Sequence, residues 1–139
     1  MSRWLKIFSR SDGNVAVEFA MILPALALLM LGGMDLAHGY YIEHIITNAS
    51  REGARYAAKY TFPTNAPSSD QISTYVKTVL NYNSFNLDDL NVNGSYTGTS
   101  PTQVATVTVQ AAKYWWILGS FLPNPRQLSA KTAMTVEGP

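Results

Sequence analysis

The amino-acid sequence predicts an α+β protein: a long N-terminal helix, half transmembrane and half exposed and amphipathic, packs against a short helix and a small antiparallel three-stranded sheet. Three observations carry that prediction. The sixteen residues from Phe19 to Met34 contain no charge, an apolar stripe at helical spacing runs on from Ile42 to Tyr60, and after about residue 90 the apolar period changes from that of a helix to that of a strand. The remaining composition narrows the function classes. Among 139 residues, ten Lys and Arg face nine Asp and Glu for a formal charge of +1, so there is no basic field to grip nucleic acid. Cysteine is absent, which removes disulfides, thiol catalysis and thiolate metal sites.

Extending the uncharged run back to Val15 gives twenty residues interrupted only by Glu18. Twenty helical residues span roughly 30 Å, the hydrocarbon thickness of a bilayer. A cleaved secretory signal is the first competitor. It is opposed by the length of the run and by Asp35, which stands where a small residue is wanted before any cut after Ala37. Arg3, Lys6 and Arg10 precede the span, against Asp12 alone, whereas Asp35 and Glu43 are the first charges beyond it. The positive-inside rule therefore sets the N-terminus in the cytoplasm.

Beyond Leu36, apolar or small residues at Ile42, Ile45, Ile46, Ala49, Gly53, Tyr56, Ala57 and Tyr60 extend the helix to about residue 60, where Pro63 ends it. The stretch 61–69 reads as a loop, with Ser69 as the cap of a second helix over 70–82 marked by Ile72, Tyr75, Val76, Val79 and Leu80. Strands are expected at Leu90–Asn93, at Val104–Ala111 after a turn over Gly94–Pro101, and around Leu128, Ala130, Thr132, Met134 and Val136. About eighty residues beyond Tyr60 would bury only a modest core by themselves. Docking the sheet on the Ile42–Tyr60 stripe supplies the missing cover. The expected organisation is a cytoplasmic leader over 1–13, a transmembrane helix over 14–36, and an extracytoplasmic head over 37–139 whose spine is 37–60.

Glu18 is costly where it stands, about 3 kcal/mol on insertion scales, and calls for a partner. A cut after Gly13 would supply one, the new α-amine of Asn14, since a carboxylate and an ammonium meeting in lipid offset each other's desolvation. The bland reading is a carboxylate that snorkels to the cytoplasmic interface.

Gly13-Asn14-Val15-Ala16-Val17-Glu18-Phe19 resembles the processing site of type IV prepilins. With Pro24, Gly33, the Tyr40-Tyr41 pair and Ser50-Arg51-Glu52-Gly53-Ala54-Arg55-Tyr56-Ala57, the chain resembles the TadE-like minor pseudopilins of tight-adherence (Flp-type) pilus systems. The ending also fits: Val107-Thr108-Val109, an aromatic connection, Leu128-Ser129-Ala130 and Met134-Thr135-Val136-Glu137. Its connection Tyr114–Pro125 is more aromatic and less proline-rich than the family's. The resemblance implies cleavage between Gly13 and Asn14 by a prepilin peptidase. It also implies assembly through Glu18 and Phe19, other pilins and pseudopilins and an inner-membrane assembly platform as partners beside membrane lipid, and a place in the bacterial inner membrane. The implied role is initiating or capping the pilus. The alternative is an uncleaved single-pass scaffold or binding protein of an envelope secretion complex.

Pro24 removes a helix hydrogen bond to Ala20, which either loosens the helix or is tolerated as in other membrane helices. Gly33, then Ala49, Gly53 and Ala57, permit close helix approach, either of the protein's own head or of a neighbouring subunit. Arg51, Arg55 and Lys59 form a basic ridge with Glu52 within reach of Arg55, a solvated face or a partner surface. His38 and His44 lie on different sides of a helix, so no metal site is expected, and no cofactor motif or catalytic constellation is present. An enzyme is not expected.

Overall fold

A computed structural model describes residues 11–59, 66–82, 89–99 and 102–136, apart from the side chains of 11–14 and 81–82. Residues 1–10 of the expected leader, Pro63 and Glu137 lie outside that description. Helix α1 runs unbroken from Ser11 to Ala58, through Pro24. Its apolar side chains from Val15 to Leu31 are exposed, whereas Ile42, Ile46, Ala49, Ala54 and Ala57 are buried under the head. The change of environment follows the change in pattern, from apolar on all sides to apolar on one stripe.

Helix α2 (Ser69–Tyr82) starts on a capping box. Ser68 Oγ accepts the Gln71 amide at 3.3 Å and Gln71 Oε1 accepts the Ser68 amide at 2.9 Å. The cap is thus Ser68 rather than Ser69. The Ser69 hydroxyl instead accepts the Gly94 amide at 3.2 Å and ties α2 to the sheet.

Strands β1 (Asn91–Thr97), β2 (Val104–Lys113) and β3 (Arg126–Thr135) form an antiparallel sheet in the order β1-β2-β3. Val109 of β2 stands between Val92 and Ala130, and alternate residues Ala105, Val107, Val109 and Ala111 face the core. Helix α1 packs on β2 and β3, and α2 on β1 and α1. Ring stacking of Tyr56 on Tyr75, with centroids 4.2 Å apart, joins the two helices.

Two glycines mark the tightest approaches. A Cβ at Gly53 would stand 2.6 Å from Val76 Cγ2 and 3.1 Å from Val107 Cγ1, so α1, α2 and β2 meet there with room for hydrogen only. A Cβ at Gly94 would stand 2.6 Å from Ile72 Cδ1. Gly94 belongs to β1 rather than to the expected turn, because α2 covers it, and the chain reverses after Gly98. Strands β2 and β3 each run two residues beyond the expected limit, pairing Ala112 with Gln127 and Lys113 with Arg126.

Candidate functional site

The longer β2 carries Lys113 to α1, where Asp35 follows directly on the uncharged run. Both side chains are 1% exposed, with Lys113 Nζ 2.9 Å from Asp35 Oδ1. The ammonium also donates to the Tyr114 carbonyl at 2.8 Å and to His38 Nδ1 at 2.9 Å. An ammonium only donates, so His38 Nδ1 accepts and the ring proton sits on Nε2. All three ammonium protons are used. The Trp115 and Trp116 rings each lie 5.2 Å from Nζ, a cation–π distance.

The second carboxylate oxygen organises the connection between β2 and β3. Asp35 Oδ2 accepts the amides of Trp116 at 3.0 Å, Ile117 at 3.1 Å and Leu118 at 3.3 Å. Without it these part-buried amides would lose their protein acceptor. A short 3-10 turn at Leu118–Ser120 follows. The Asn124 side chain then accepts the Trp115 amide at 3.1 Å and donates to the Trp115 carbonyl at 3.3 Å, closing the connection on itself. The result is a collar on α1: Trp115 packs on Gly39, where a Cβ would stand 3.3 Å from its ring, and Leu118 lies over Gly32. The His38 ring stacks on Trp116 with centroids 5.4 Å apart.

The residues singled out in the sequence fall elsewhere. Gly13 and Asn14 lie in the first turns of α1, and Glu18, Phe19 and Pro24 follow on its exposed apolar length. Gly33 has open space beside it, and the neighbouring Gly32 is the one covered. Ala49, Gly53 and Ala57 are buried against the protein's own head. Arg51 and Arg55 are exposed, and among the described residues no ion pair joins Glu52 to Arg55. Glu52 Oε1 instead accepts the Tyr75 hydroxyl at 3.4 Å. His44 meets Asn48 at 3.2 Å, and no group of three His, Asp or Glu side chains able to hold a metal occurs among the described residues.

Residues 13–55 match the family model of TadE-like proteins. The match covers α1 from Gly13, through Glu18 and Asp35, to Arg55. It is consistent with a TadE-like protein of the Tad pilus system. The sheet, α2 and the whole Tyr114–Pro125 connection lie outside the matched stretch, including the Val107–Val109 and Leu128–Glu137 segments that resemble the family by their residues. Neither a search of curated proteins nor one of solved structures returned a match.

The Asp35–Lys113 pair was missed in the sequence, yet both residues carry a signal. Each is a lone charge set among apolar and small residues, Gly33-Met34-Asp35-Leu36-Ala37 and Ala111-Ala112-Lys113-Tyr114-Trp115. Such charges are seldom buried unless paired.

Proposed function

We propose that this protein is a minor pilin-like subunit of a tight-adherence pilus assembly system, a peptidase substrate and building block rather than an enzyme. It inserts with its N-terminus in the cytoplasm and its head outside the inner membrane. A prepilin peptidase removes Met1–Gly13, and the α-amine of Asn14 then pairs with Glu18. The mature helix joins a bundle with other pilins at the assembly platform, where the protein helps to initiate or cap the fibre.

One observation carries this reading. The TadE-like match begins at the glycine of the cleavage pattern and continues along a helix whose apolar side chains, from Val15 to Leu31, have no cover from the head. In water that surface would be an aggregation liability, and in a bilayer or helix bundle it is satisfied. Glu18 stands among these exposed apolar residues.

Two substitutions test the proposal in cells that carry the peptidase. Gly13→Leu is expected to leave full-length protein in the membrane, and normal trimming would contradict the peptidase step. Glu18→Ala is expected to be trimmed but lost from the assembled pilus fraction. Wild-type incorporation would remove the amine-pairing role.

A further inference from the structure

We infer that the collar formed by Tyr114–Pro125 lies in the lipid interface of the extracytoplasmic leaflet, as a second membrane contact beside the span itself. The inference rests on the reading of α1 as a membrane helix. Depth follows from geometry. A span using the twenty residues Val15–Met34 fills roughly 30 Å, so Asp35 emerges at the boundary of the hydrocarbon. The amides of Trp116, Ile117 and Leu118 are fastened to Asp35, and Leu118 covers Gly32, which lies inside the uncharged run. The collar therefore cannot stand clear of the membrane while the span is in it.

Its chemistry suits that depth. The twelve residues Tyr114–Pro125 contain no charge, and Trp116 and Phe121 are 72% and 81% exposed. Irregular backbone is tolerated at membrane depth only where its polar groups are satisfied within the protein. Asp35 and Asn124 accept four of the collar's amides, and the Leu118 carbonyl takes two more, from Phe121 and Leu122. The charges of Asp35 and Lys113 cancel within the buried site. An indole and a phenyl ring left exposed around an emerging apolar helix have the composition of an interfacial aromatic belt. The partner is thus a lipid surface, engaged without an excess of cations and so largely independent of salt.

The natural absence of cysteine allows single labels at chosen sites. The full chain is placed in vesicles of phosphatidylethanolamine and phosphatidylglycerol with an environment-sensitive dye on Phe121→Cys, on Leu29→Cys as a marker of the span, or on Lys131→Cys as a marker of the head. Iodide in the water and a nitroxide high on the lipid acyl chain are the quenchers. The expected result is several-fold weaker iodide quenching at positions 29 and 121 than at 131, with strong lipid quenching at 121. Iodide quenching at 121 equal to that at 131, with 29 shielded, would overturn the collar while leaving the span. Shielding of 121 from both quenchers would also overturn it, since protein rather than lipid would then cover the ring. Open access of iodide to 29 would overturn the span and the collar together.

Discussion

At the scale of single residues, Asp35 links the two halves of the molecule. One carboxylate oxygen meets a cation from the sheet and the other meets three amides of the collar. Removing one partner of a buried pair strands the other, which costs about 3–5 kcal/mol. Asp35→Asn is therefore expected to destabilise the head by about that amount. The double variant Asp35→Asn with Lys113→Met should recover part of the loss, since the amide oxygen still accepts from the collar and no bare ammonium remains. Asp35→Leu with Lys113→Met should recover less, because three amides lose their acceptor. Thermal unfolding in detergent micelles orders the variants; equal stability of the two double variants would contradict the acceptor role. The pairing itself is not legible from local sequence. The partners stand 78 residues apart, and a lone charge in an apolar setting announces that it needs a partner without naming it.

At the scale of elements, the close packing of α1 on the head depends on small residues at the crossing. Gly53→Val would drive two methyl groups against the stiff side chains of Val76 and Val107, and overpacking of this kind costs about 1–3 kcal/mol or more. A drop in the unfolding temperature of the head, with membrane insertion intact, is the expected outcome. An unchanged transition would show that α1 and the sheet are not held at the distance described. Element types were readable because each period has one physical meaning. The helical stripe Ile42–Tyr60 needs a cover, and alternation along β2 supplies one. Element limits were less readable wherever a distant contact decides them. Gly94 looks like turn chemistry, yet it is a strand residue because Ile72 lies against it. The cap expected at Ser69 falls on Ser68, because the Gln71 side chain closes a capping box with Ser68 while the Gly94 amide takes the Ser69 hydroxyl. The last two residue pairs of β2 and β3 end on Lys113, which Asp35 holds in place.

At the scale of the whole molecule, a 48-residue helix is about 70 Å long. Roughly the first half is bare and apolar, the second half is the spine of the head, and the collar marks the boundary between them. The division was legible in the sequence as a change in apolar pattern, while the collar's grip on α1 was not, since Tyr114–Pro125 has no helical or strand period to place it. The bare apolar length of α1 follows directly on Gly13, with Glu18 five residues beyond that glycine, which is the arrangement the proposed pilin-like subunit needs once Met1–Gly13 is removed. That processing is the central claim, and the intact mass of the protein recovered from its native membrane tests it most directly. A mature chain beginning at Asn14 is the predicted result. A chain still beginning at Met1, in cells with an active prepilin peptidase, would contradict the claim and identify the protein as an uncleaved membrane anchor for its head.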